Sequence, residues 1–190
     1  MTMVSSIKRA VGKFSRIVFN PRQKKWADIE YFSESWKDRI RIMAGHIPQG
    51  SKQVIDLGCG KMWLKEFLPP GCTYYGVDYT HRGEGSHVYD LNSGSFPDLT
   101  ADVIFISGCL EYINDYHWLV DEVAKRCKRC VISYCTLENV SDLQERKNLT
   151  WVNNLTDNEF IAVFTGRKMK LVEKQPLFTG KNNLYIFDHE

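Results

Sequence analysis

The sequence predicts an α/β fold: a doubly wound, mostly parallel sheet preceded by N-terminal helices. Three observations predict it. Val54-Ile55-Asp56-Leu57 is an apolar run around one acid, closed by Gly58-Cys59-Gly60. That pattern reads as a buried strand stopping at a loop where backbone can approach a ligand. A second run, Thr73-Tyr74-Tyr75-Gly76-Val77, ends in Asp78 about twenty residues later, the interval at which an acid can accept hydrogen bonds from ribose hydroxyls. The third is Asp102-Val103-Ile104-Phe105-Ile106-Ser107, the clearest buried strand after the first. Its roughly ten-residue link from the preceding strand can reach about 33 Å, while three inter-strand spacings need only about 15 Å. This strand can therefore lie on the far side of the first, with the glycine loop at the switch point where open α/β sheets bind ligands.

The elements follow in order. Val4, Ile7, Val11, Phe14 and Val18 recur at helical steps among Lys8, Arg9, Lys13 and Arg16, with no acid before Asp28. This basic helix has two readings: contact with an anionic membrane or a partner protein through residues 1–20, or packing on its own domain as a lid. Asn20-Pro21 ends it. Residues 22–46 predict one long helix with Trp26, Ile29, Phe32, Trp36, Ile40 and Met43 inward, and Tyr31, Trp36 and Arg39 placed to close over a ligand. Residues 61–68 predict a short helix after the glycine loop, its free amides toward the ligand. A short strand is expected at His87-Val88-Tyr89, preceded by a loop where many nucleotide-binding folds carry a helix. A helix over 115–127 and a strand over 130–135 come next. Residues 136–155 are polar and give no assignment beyond the apolar pair Trp151-Val152. Thr156-Asp157-Asn158-Glu159 is a capping box for a helix that Gly166 stops. Strands over 169–173 and 184–187 close the chain.

Bulk properties bound the answer. A chain of 190 residues, 43% hydrophobic and 13% aromatic, fits one globular domain. The expected division is an N-terminal helical extension or lid over 1–46 and a ligand-binding domain over 47–190. A net charge of +2 gives no argument for nucleic acid. With no long apolar run and no signal-peptide pattern, the expectation is a cytoplasmic protein with reduced thiols. Cys127-Lys128-Arg129-Cys130 lacks the second pair a zinc site needs and closes a helix rather than opening one, so no metal is expected.

The glycine loop discriminates among nucleosides. A dinucleotide would want a third glycine at position 63, where Trp63 stands. S-adenosylmethionine has no phosphates. It needs backbone approach for its amino-acid tail, an acid for its ribose and a polar feature near adenine. Asp56, Gly58 and Gly60, then Asp78, then Asp90 meet those needs in chain order.

Residues 54–60 resemble the first motif of class I S-adenosylmethionine-dependent methyltransferases of the small bacterial type. Gly76-Val77-Asp78 resembles the second, Asp90-Leu91 the third, and residues 102–113 the fourth, an apolar strand followed by Leu110-Glu111-Tyr112-Ile113. The resemblance spans residues 52–190 and implies a Rossmann-like sheet of about seven strands, the last antiparallel. It implies that Asp56, Gly58, Cys59 and Gly60 hold the methionine part. Asp78 would grip the ribose with Tyr79 beside the adenine, Asp90 and Leu91 would read the adenine edge, and Ser107 and Gly108 would lie under the sulfonium. Glu111, Tyr112 and His117 are the candidates for catalysis, since an oxygen acceptor must lose a proton. Glu111 has a competing structural role, bonding backbone in its loop. The expected activity is O-methylation of a small molecule or a glycan precursor, with S-adenosylhomocysteine as product. The rival is a non-catalytic, methyltransferase-like partner that regulates another enzyme, and a third reading is an NAD-dependent enzyme.

Overall fold

The structure is a computed structural model that describes residues 26–177 and 181–190. The basic helix expected before Pro21 lies outside those residues. The described chain builds a seven-stranded sheet in the order β3-β2-β1-β4-β5-β7-β6. Its strands are β1 (Gln53–Leu57), β2 (Thr73–Asp78), β3 (Ser86–Val88), β4 (Ala101–Ser107), β5 (Cys127–Tyr134), β6 (Met169–Pro176) and β7 (Asn183–His189). The first five run parallel, and β7 pairs antiparallel with both β5 and β6. β1 lies between β2 and β4, so the glycine loop leaves the sheet at the point where its winding reverses.

Among the described residues the sheet is accompanied by four α-helices: α1 (Ser35–Ala44), α2 (Tyr116–Arg126), α3 (Leu143–Asn148) and α4 (Asp157–Thr165). Parallel strands buried on both faces read as continuous apolar runs. β4 shows the result. Ile104 and Ile106 join Leu119, Val123, Phe160 and Phe164 on one face, and Val103 and Phe105 join Met43, Ala44 and Leu64 on the other. Phe160, Phe164, Tyr185 and Phe187 stack into the centre of the first layer. Thr156 caps α4 in the expected box with Glu159. Among the described residues no helix is long and apolar enough to cross a membrane.

Three expectations need correction. The long helix over 22–46 is broken. Asp28 accepts from the Glu30 amide to cap a 3₁₀ turn, Ile29–Tyr31, and α1 starts afresh at Ser35. Aspartate and serine side chains compete for backbone donors and so favour caps over helix interiors. Ile29 is consequently exposed rather than core. The segment after the glycine loop is a 3₁₀ helix, Trp63–Phe67, entered through Met62 in the left-handed region (φ 54°). Finally, the polar stretch over 136–155 contains α3, capped by Asp142. Its organiser is Arg146, which is fully buried. Arg146 donates to the carbonyls of Cys135, Thr136, Val140 and Asn153 and to Asn154 Oδ1.

Candidate active site

A cavity of about 380 Å³ opens at the carboxyl ends of β1, β2 and β4. One half lies beside the glycine loop. Gly58 (φ 73°) and Gly108 (φ 63°) face each other across the ends of β1 and β4 in a conformation that favours glycine. A Cβ on Gly58 would stand 2.7 Å from Cys109 Sγ, and one on Gly108 would stand 2.8 Å from Arg39 Nη2. The amides of Gly58 and Cys59 both go to the Val77 carbonyl, and that of Gly60 goes to Asp78 Oδ2 at 3.1 Å. The loop therefore offers a ligand close approach rather than free amides.

Asp56 is buried, and the Tyr74 hydroxyl donates to its Oδ2 at 2.8 Å. Gly76 makes the pair possible. It stands opposite Asp56 in the β1–β2 register, and a Cβ there would come within 2.9 Å of the Tyr74 ring. Burial pushes the Asp56 carboxyl up to about 7, against the pull of the Tyr74 hydrogen bond and with a further push from Asp78. Asp78, also buried, accepts from Gly60, from the Thr80 amide and from Arg82 Nη2. Asp90 caps the 3₁₀ turn Leu91–Ser93 through the Asn92 amide, which places Asp90 and Leu91 on the cavity wall beside Tyr79. Asn92 then binds the Tyr112 carbonyl and the Asn114 amide, fastening this loop to the one after β4.

The other half lies beyond β4. Glu111 sits in the 3₁₀ turn Leu110–Tyr112 and is 1% exposed. Its Oε1 accepts from the Cys135 amide at 3.0 Å, a backbone bond made to the residue after β5 rather than within its own loop. Its Oε2 has no hydrogen-bond partner. Burial pushes this carboxyl above the usual range, with Arg39 and Arg146 pulling the other way. Arg39, on α1, is 9% exposed, and its hydrogen bonds go to neutral oxygens: Ser107 Oγ at 3.0 Å, the Ser107 carbonyl and Asn182 Oδ1. Burial lowers its affinity for its proton. Thr150 (φ 64°), Trp151 and Val152 complete the wall, and Thr150 Oγ1 is buried without a partner. Trp26, Phe32, Trp36 and Tyr112 form an aromatic roof with ring centroids 5.4–6.1 Å apart.

The structure thus brings Asp56, Gly58, Cys59, Asp78, Tyr79, Asp90, Leu91, Ser107, Gly108, Glu111 and Tyr112 into one cavity. Gly60 stands just behind, its face covered by the Phe32 ring. His117 is not brought there. It is exposed on α2 with Nδ1 against Arg167, outside the cavity lining. Of the residues expected to close over a ligand, Trp36 and Arg39 line the cavity, while Tyr31 is exposed and outside it. Sequence reasoning missed Tyr74, Arg82, Asn92, Thr150 and Asn182. The cation Arg82, four residues after Asp78 in the loop between two motif-bearing strands, was an available signal.

A family model described as a methyltransferase domain matches residues 27–174. No curated protein sequence matches the chain. Among solved structures, similarity extends to a chain in the complex between a Haloferax volcanii methyltransferase activator and a candidate methyltransferase. That match has a TM-score of 0.72 and 16% identity over 90% of this chain and 98% of that one. A candidate O-methyltransferase from Nostoc punctiforme gives a TM-score of 0.71 and 11% identity over 90% of this chain, which spans 62% of that protein's length. The N-methyltransferase NodS of Bradyrhizobium japonicum, solved with S-adenosylhomocysteine, gives 0.61 and 14% identity, covering 95% of this chain and 93% of that one. At these identities the likeness is one of fold.

Proposed function

We propose, from the premise that the chain belongs to the methyltransferase-domain family, that it methylates an oxygen of a small molecule or glycan precursor with S-adenosylmethionine. The observation that carries this reading is the sharing of one cavity by a set of buried acids at the glycine loop and a buried carboxylate oxygen, Glu111 Oε2, with no partner. The residues fit the cofactor chemically. Asp56 suits an ammonium group, Asp78 suits ribose hydroxyls, and Asp90 with Leu91 suits an adenine edge. Arg39, held over Ser107 and Gly108 without a carboxylate in its hydrogen bonds, suits the carboxylate of an amino-acid tail. The missing Cβ at Gly108 lets the Arg39 guanidinium close on the backbone after β4, and that at Gly58 admits the Cys109 side chain.

When bound, S-adenosylmethionine supplies an electrophilic methyl group on a sulfonium. The chain's own residues do the rest. Orientation can contribute several kcal/mol to such a displacement. Glu111 is the candidate base: it is buried on the cavity wall, its proton affinity is raised, and Oε2 has no hydrogen-bond partner of its own. Burial raises the Tyr112 hydroxyl well above its ordinary range, so Tyr112 serves as a donor or a wall rather than a base. In this reading residues 1–46 act as a lid on the domain over 47–190. The test is turnover: S-adenosylhomocysteine formed with a pool of hydroxylated acceptors, each product gaining one methyl by mass spectrometry. Cofactor binding with no turnover across broad pools would instead favour a non-catalytic regulatory partner.

A further inference from the structure

Arg82 joins two parts of the molecule that the cofactor reading needs to keep apart. Its side chain is 2% exposed. Nη1 donates to the Ala27 carbonyl at 2.9 Å, and Nη2 to the Trp26 carbonyl and to Asp78 Oδ1 at 3.2 Å. Nε lies 3.1 Å from Asp78 Oδ2. The guanidinium also sits over the Phe32 ring at 5.4 Å, and that ring covers Gly60. The loop carrying Arg82 is itself pinned, because the Arg82 amide donates to Ser86 Oγ at 2.8 Å and Ser86 Oγ donates to the Gly83 carbonyl.

A carboxylate offers about four lone-pair positions. At Asp78 hydrogen bonds from the Gly60 amide, the Thr80 amide and Arg82 Nη2 already take three of them, and Arg82 Nε lies beside Oδ2 as an ion pair. Two ribose hydroxyls cannot be added without displacing a donor. The two amides are fixed by backbone, so the side chain is the donor free to leave. Once Arg82 leaves, the carbonyls of Trp26 and Ala27 lose their donor and Phe32 loses its cation. Ribose binding thus removes the Arg82 contacts among those that hold residues 26–32 on the glycine loop, leaving that of Lys61 Nζ with the Phe32 carbonyl.

We propose that Arg82 is a latch: it ties the N-terminal segment to Asp78, and the cofactor's ribose and that segment compete for the same carboxylate through it. The proposal rests on the cofactor reading above. By linkage the coupling is reciprocal, so whatever releases the segment tightens cofactor binding and the cofactor releases the segment. The ligand-free protein is thereby held shut, and cofactor entry and opening of the aromatic roof become one event.

Hydrogen exchange of the full-length protein, with and without S-adenosylhomocysteine, tests this alongside calorimetry of wild type and Arg82→Gln. In the wild type, ligand should speed exchange over residues 26–32. In Arg82→Gln those residues should exchange fast without ligand, and S-adenosylhomocysteine should bind about tenfold more tightly, the gain expected when one charged contact no longer has to be broken. Slower exchange over 26–32 on ligand binding to the wild type, or weaker binding by Arg82→Gln, would overturn the latch and make Arg82 a positioning group for Asp78. The wild-type arm needs no variant to fold. Absence of S-adenosylhomocysteine binding to the wild type would overturn the cofactor reading, and the competition with it. Normal binding with unchanged exchange would overturn the latch alone.

Discussion

The two halves of the cavity are built by opposite means. Beside the glycine loop, Asp56, Asp78 and Asp90 sit at or just beyond the ends of consecutive strands, each one residue position in a short local pattern. Beyond β4, the wall is assembled from α1, the turn after β4, the loop after α3 and the residue before β7. Arg39, Glu111, Thr150 and Asn182 are separated by dozens of residues and meet only when the fold is complete. The first half is specified by strand register. The second is specified by buried hydrogen bonds, above all those of Arg146 and of Asn153, which binds the carbonyls of Leu110 and Ile113.

That contrast can be broken from either side. Replacing Arg146 by alanine takes the arginine donor from the carbonyls of Cys135, Val140 and Asn153 and should cost about 3–5 kcal/mol of stability, measured by denaturant unfolding. If the halves are independent, residual cofactor binding should survive in the folded fraction. Glu111→Gln keeps the Cys135 bond but removes the base. Turnover should fall by about 10²–10⁴, with S-adenosylhomocysteine affinity unchanged by calorimetry; equal losses in both would assign Glu111 to structure alone. Asp78→Ala should weaken cofactor binding by about 1–3 kcal/mol, and unchanged affinity would displace the ribose from β2.

The smallest effect is a pH dependence. The Asp56 carboxyl is raised from its ordinary 3.8 to about 7, so the fold disfavours its charged form. Its contribution to the stability of the ligand-free protein is fully present below the ordinary value and is lost as pH rises toward 7. A cofactor ammonium wants the carboxylate, so affinity should rise through the same window, by at most about tenfold per pH unit. Tyr74→Phe removes a hydrogen bond that favours the carboxylate and should move that rise to higher pH. Binding titrations between pH 5.5 and 8.5 would show a flat profile if Asp56 faces no cation.

The same contrast explains what the sequence made legible. β1, β4 and the second half of β5 announced themselves because burial on both faces demands unbroken apolar runs, β2 because Asp78 closes it at the right interval, and α4 because its capping box is local. α3 was hidden, since its purpose is to present one buried arginine to distant carbonyls and its surface is polar. The break between residues 28 and 35 was hidden behind a continuous helical stripe that Asp28 and Ser33 override. Tyr74 looked like ordinary strand filler until Gly76, opposite Asp56, showed why the tyrosine can lean over the acid. Arg82 could be seen as a charge near Asp78, but its bond to the Trp26 carbonyl crosses 56 residues and belongs to tertiary structure.

The most direct test of the central claim is calorimetry of the wild-type chain with S-adenosylhomocysteine and, in parallel, NAD. One-to-one binding of S-adenosylhomocysteine and none of NAD is the predicted result. Binding of NAD without S-adenosylhomocysteine would contradict the account at its root.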